Sequence, residues 1–292
     1  MVRLFSKAIC AIATGFIASI PIAAASAEPR KLTDVLEATH VHGLAVDADD
    51  SNRLLIATHH GLFALDLASG MAEPISETRD DFMGFTPHPT DSGVLYASGH
   101  PAAGGNLGII VSKDGGRTWT SLSPGLNGPV DFHQMDVSRA DPKIIYGAHG
   151  GLQVSRDGGT TWELVGPLPE GLIDFAASAA SADTLYAATK TGLLVSRDGG
   201  RRWQESESGG PVAMVHVSAG GDIHAFSLKS GLLTAREETT QWRSVGAGPI
   251  DAIILHLAVD PADSLRLYAA TYQGDLLASE DGGESWRSLR TP

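Results

Sequence analysis

The chain has 292 residues, a formal net charge of −13 and a single cysteine, Cys10. An acidic chain lacks the basic surface that phosphate binding requires, which argues against nucleic acid as a partner. No internal disulfide can form from one cysteine, so the hydrophobic core must hold the fold alone, and this length is ample for that.

Residues 1–27 read as a cleavable secretory signal peptide. Arg3 and Lys7 supply a positive start, "AICAIATGFIASIPIAAA" is short and apolar, and "ASA" at 25–27 is a small-residue cleavage site. Gly15 and Pro21 break the apolar run and no stop-transfer flank follows, so no membrane span is expected. Removing the two cations leaves the chain at −15 and places it in the periplasm or outside the cell. Residues 28–39 form a lead before the repeats, either loose or a strand that closes a ring on the last repeat.

From residue 40 onward one unit recurs. "VSKDGGRTW" (111–119), "VSRDGGTTW" (154–162), "VSRDGGRRW" (195–203) and "ASEDGGESW" (278–286) are four copies, and "LTAREETTQW" (233–242) is a fifth that has decayed. The tryptophans fall at 119, 162, 203, 242 and 286, and these are all the tryptophans in the chain. A period near ~40 residues marks a stacked or radial repeat. Each unit reads as four short strands. In the third they are "FHQMDV", "KIIYGA", "GLQVS" and "TTWELV", with the turn "RDGG" between the last two. No helical period is evident after the leader. The first unit lacks the turn motif, yet "HVHGLAVDADDSNRLLIATHHGLFALDLASG" (40–70) aligns with "ILHLAVDPADSLRLYAATYQGDLLASEDGG" (254–283). Six units result, near 40–78, 79–127, 128–170, 171–209, 210–248 and 249–289. The expected fold is all-β: one six-bladed β-propeller over 40–292.

The pattern S-x-D-x-G-x-T-W resembles the Asp-box, or BNR, repeat of the sialidase and sortilin-like superfamily. Ser112, Asp114, Gly116, Thr118 and Trp119 match it, as do Ser155, Asp157, Gly159, Thr161 and Trp162; Arg202 and Ser285 replace the threonine in two other copies. The stretch "HVHGLAV…ATHHGLF" is also similar to a group of secreted bacterial Asp-box propellers often labelled glycosyl hydrolases. The resemblance implies Asp-box hairpins in a propeller and carries little about function, because the box is a structural turn.

Strands that run up and down put the second-to-third loops and the inner-strand entries on one face, opposite the S-x-D hairpins. Seven of the eleven histidines fall on that face, all in blades 1 to 3: His40, His42, His59, His60, His100, His133 and His149. A structural histidine would recur with the repeat, whereas the matching loops of blades 4 to 6 carry Lys190, Lys229 and Tyr272. Clustered imidazoles suit a transition metal, with copper or zinc expected and Met83 and Met135 as soft donors for Cu(I). The expectation is one cluster at the channel mouth, with His100 more peripheral. Of the adjacent His59 and His60, one faces the site and the other supports it. His88, His216, His224 and His256 read as structural.

The same rim is acidic. "DF" at 81–82, 131–132 and 174–175 reads as a repeat feature, Phe packing between blades and Asp bonding the loop. Asp80 has no counterpart in blades 3 to 6, so Asp80 and Asp81 stay open as metal partners or acids. A glycoside hydrolase could draw on Asp80, Asp81, Asp131, Glu170, Asp174 and Asp251. A sialidase is not expected, because only Arg79 of the required arginine triad is placed on this face. The functional expectation is an exported, non-catalytic propeller that binds a metal ion or small ligand at the channel mouth. A glycoside hydrolase and a protein-docking platform are the alternatives.

Overall fold

The computed structural model describes residues 28–207, 209–246 and 252–290. The proposed signal peptide and Asp251 lie outside the described residues.

Six antiparallel sheets stand in a ring, each built from four consecutive strands. The innermost strands are Val41–Val46, Asp81–Pro87, Met135–Val137, Leu172–Ala177, Val212–Val217 and Ile254–Asp260. They surround a central channel of about 290 Å³, whose wall includes His42, Met83, His133, Asp174, His216 and His256. The protein is a six-bladed β-propeller. Leu, Val, Ile and Ala from the faces of successive sheets fill the wedges between blades, one hydrophobic cluster to each wedge.

The S-x-D-x-G turns explain why the motif repeats. In blade 3, Ser155 Oγ donates to Asp157 Oδ1 (2.9 Å) and accepts from the buried N–H of Gly159 (2.8 Å). Asp157 then accepts from the N–H of Thr161 (2.8 Å) and from its hydroxyl (2.7 Å). Those bonds, with the Ser155 hydroxyl, hold the Asp157 carboxyl down to about 2. Trp162 closes the turn by donating from Nε1 to the Gly159 carbonyl at 3.0 Å. In the third copy Arg202 takes the threonine's place, its Nε 2.7 Å from Asp198 Oδ2. Replacing Ser155 by Ala would orphan a buried N–H, and unfolding in urea should show a loss of about 1–3 kcal/mol. An unchanged midpoint would mean that the glycine N–H is satisfied without the serine.

The lead corrects the sequence reading. It is neither loose nor a closing strand of the last blade. Arg30–Lys31 pair with Met71 and Ala72 on the outermost strand of blade 1, giving that sheet a fifth strand. Leu32–Ala38 then form a helix, the one helix among the described residues. Leu32, Val35 and Leu36, spaced i, i+3 and i+4, are buried with Leu44 of blade 1 and Tyr268, Leu276 and Leu289 of blade 6. The lead therefore seals the seam between the first and last blades by packing rather than by strand exchange.

Candidate metal centre

The ladder registers define which residues are equivalent from blade to blade. Val46 pairs with Leu54, Pro87 with Leu95, Val137 with Ile145 and Ala177 with Leu185. Counting back from those pairs, His40, Asp81, Asp131 and Gly171 share one position at the entry to the inner strand. His42, Met83, His133 and Ile173 share the position two residues on. His59 and His100 share the position at the end of the second strand, five residues on from Leu54 and Leu95. Asp174–Phe175 is therefore not the counterpart of Asp81–Phe82, as the sequence suggested. Gly171–Leu172 is, and a bulge between Leu172 and Asp174 turns Asp174 into the channel wall.

Two three-residue groups form on the rim, each across a blade junction. In the first, His42 and His59 of blade 1 meet Asp81 of blade 2, with one ligand-capable atom from each within 4.8 Å of the others. His42 Nε2 lies 3.1 Å from His59 Nδ1 and 3.6 Å from Asp81 Oδ1, and His59 Nδ1 lies 2.8 Å from Asp81 Oδ2. Burial, then the facing His59 ring, lowers His42 to about 4, so it stays neutral and keeps a lone pair at neutral pH. Asp81 Oδ1 is buried and has no hydrogen-bond partner among the described residues. In the second group, His100 of blade 2 meets Asp131 and His133 of blade 3. Both Nε2 atoms converge on Asp131 Oδ2, at 3.1 and 2.8 Å. Asp131 is only 9% exposed, and its Oδ1 likewise lacks a partner among the described residues.

The other expected histidines stand outside these groups. His40 lies beside His59, the ring centroids 5.5 Å apart and the planes tilted by 43°. His60 is exposed, its backbone N–H bonded to Thr58 Oγ1 (3.0 Å), and it belongs to neither group. His149 is exposed, and its Nδ1 lies 3.1 Å from the carbonyl of Asp131. His100, expected at the periphery, is a full member of the second group. One cluster was expected; two adjoin.

The carboxylates separate in the same way. Asp80 accepts from the N–H of Ala102 (3.0 Å) and shapes the loop after His100. Asp174 accepts from the N–H groups of Val215 (3.0 Å) and Phe175 (2.9 Å), and burial raises it to about 7. Glu170 is exposed in a turn. Phe82 and Phe132 are fully buried, with ring centroids 4.8 and 4.9 Å from Trp119 and Trp162. Asp131, read from sequence as a loop residue, instead joins a histidine group. The signal was the coincidence of a rim histidine in one blade with an entry aspartate in the next.

Beside the first group lies a cleft of about 690 Å³, bounded by His40, His42 and His59, by residues 36–39 of the lead and by blade 6 around Tyr272, which is 73% exposed. No helix among the described residues is long and apolar enough to cross a membrane.

No curated protein matches the chain. Among solved structures, the GH74 xyloglucanase from Xanthomonas campestris is similar, with a TM-score of 0.59 and 20% identity over 86% of this chain and 45% of that one. YCF48 from Cyanidioschyzon merolae gives a TM-score of 0.52 and 15% identity, covering 86% of this chain and 84% of that one. A chain of the nidogen/laminin complex gives 0.56 and 13%, covering 80% and 91%. The chain spans less than half the length of the GH74 xyloglucanase. At these identities the likeness is one of fold. A protein-family model described as "Beta-prop_HVO_0234:-like, beta propeller" matches residues 34–290, and the chain belongs to that β-propeller family.

Proposed function

We propose that this is an exported, non-catalytic propeller that binds a transition metal ion, copper or zinc, on the rim of blades 1–3. The ligands are His42, His59 and Asp81. The observation that carries this reading is the convergence of two imidazole nitrogens on the Asp81 carboxylate, one of whose oxygens is buried with no hydrogen-bond partner among the described residues. Tetrahedral ligands about 2.1 Å from zinc stand about 3.4 Å apart, and the contacts here run from 2.8 to 3.6 Å. The donors are nitrogen and oxygen, which favours Zn(II) or Cu(II) over Cu(I). Export is supported by the leader-like residues 1–27, and the Asp-box resemblance by the hydrogen bonding of the turns.

A glycoside hydrolase is less well supported. Asp80 and Asp174 bond backbone N–H groups and Asp81 and Asp131 bond histidines, so none of these carboxylates is free as an acid or nucleophile. The xyloglucanase activity belongs to a protein similar only in fold.

Calorimetric titration of tag-free protein with Zn(II) and Cu(II) tests the reading. His42→Ala should weaken binding at this site by more than the roughly 10–100-fold that losing a ligand's neighbour costs. His60→Ala should bind like wild type. Equal, weak binding by wild type and His42→Ala would end the metal reading. Loss of binding in His60→Ala would mean that the loop is arranged differently around the ion.

A further inference from the structure

We infer that the rim holds two metal ions, the second at the junction of blades 2 and 3 with His100, His133 and Asp131 as its ligands. This rests on the metal reading of the first group and extends it to a stoichiometry.

The first argument is the repeat. His59 and His100 are equivalent, and so are Asp81 and Asp131. A loop histidine of one blade meets the entry aspartate of the next at both junctions. Only the third donor differs: His42 comes from the blade of the loop histidine, His133 from the blade of the aspartate. The half-site has been copied one blade along, and then it stops. At the following junction the equivalent positions are Gly150 and Gly171, and neither carries a donor side chain.

The second argument is the direction of the imidazoles. His100 Nδ1 lies 2.8 Å from the carbonyl of Gly105, which can only accept, so Nδ1 carries the proton. In neutral His100 the lone pair is then on Nε2, aimed at Asp131 Oδ2 at 3.1 Å. Without an ion, Nε2 can reach that oxygen as an N–H donor; with the proton displaced, its lone pair points to where an ion would sit between the two. A backbone carbonyl fixing Nδ1–H while Nε2 faces the ion is how ligating histidines are oriented. His149 adds a further hold by bonding the Asp131 carbonyl from its own Nδ1 (3.1 Å).

The third argument is the carboxylate. Asp131 is more than nine-tenths buried, both histidines reach the same oxygen, and the other has no partner among the described residues. Burying a carboxylate this way is costly without a compensating charge.

The two groups share no ligand, yet they adjoin, because Asp81 and His100 are direct partners on paired strands. Two ions this close repel, so the second equivalent should bind more weakly than the first.

The test is Zn(II) titration of tag-free protein, with bound zinc measured after desalting and Co(II) absorption as an independent readout. Wild type should take two equivalents. His59→Ala should take one, as should His133→Ala and Asp131→Asn, and the His59→Ala/His133→Ala double variant none. The side chains of His59 and His133 are 41% and 56% exposed, so their removal should leave the thermal midpoint in place. One equivalent in wild type, lost in either single variant, would mean one shared site; the proposed function would stand and this inference would fall. Two equivalents retained by His133→Ala would also overturn it, by placing the second ion elsewhere. No binding by wild type would remove the metal reading and this inference together.

Discussion

Replacing Gly99 by Ala should lower the free energy of unfolding by about 2–5 kcal/mol and weaken metal binding at the blade 1–2 junction. Gly99 has φ +119°, a conformation that residues with a Cβ adopt only at a cost. A Cβ there would also collide with the carbonyl oxygen of Asp81 and come 3.0 Å from the N–H of Met83. Both are backbone atoms of the paired strand and cannot rotate away, so strain and overlap add. Relief requires the segment carrying the Asp81 carboxylate to move. Gly104→Ala is the control: its φ is +86°, but an added Cβ would meet nothing within 4 Å, so only the conformational cost of about 1–2 kcal/mol remains. Urea unfolding of both variants, followed by zinc titration, checks this. Equal losses would show that the close approach to Asp81 carries no weight.

The legibility of this protein in its sequence tracks how local each interaction is. The blade count could be read because the S-x-D-x-G-x-T-W turn is a short-range device: Ser155, Asp157, Gly159 and Trp162 bond one another within eight residues. The helix of the lead was missed although Leu32, Val35 and Leu36 carry its spacing, because two turns give too few repeats of a 3.6-residue period to stand out. The "DF" assignment in blade 4 failed for a different reason. Identity of a dipeptide was taken for equivalence of position, and the ladder places Gly171, not Asp174, opposite the residue after the second strand. The histidine face was legible from strand alternation. Its division into two groups was not, because each joins residues of neighbouring blades through the packing of one sheet on the next, which no pattern within one blade encodes. The opposite fates of His59 and His60 were half legible: adjacency predicted divergence, but only the turn at 59–60 decides which one faces Asp81.

Stability should fall as pH drops from about 6.5 to about 4, with a slope of up to about 4 kcal/mol per pH unit. Burial lowers His224 and His256 to about 4 and His216 further still. Each is neutral when folded and takes up a proton on unfolding once the pH passes below the ordinary histidine value. The stability these three supply is complete above about 6.5 and is lost on acidification. Asp174 acts in the opposite sense. Burial raises it from 3.8 to about 7, so in this window it is protonated when folded and releases its proton on unfolding. Its share is complete below the ordinary carboxylate value and is lost as pH rises through about 7. On the rim, burial lowers His42 to about 4, so it is a fourth group that takes up a proton on unfolding in this window; His100 is raised by its bond to Gly105, so its share is complete below about 6.5 and is lost only at higher pH. Four protons taken up against one released leave a net uptake of about three, which sets the slope. Urea unfolding of metal-free protein between pH 4.5 and 6.5 measures it. Asp174→Asn should steepen the slope by up to about 1.4 kcal/mol per unit and be more stable than wild type at pH 8, because it removes the one opposing group. His224→Gln should make the slope shallower by a similar amount. A flat profile in wild type would mean that these histidines titrate as they do in water and that water reaches them in the folded propeller.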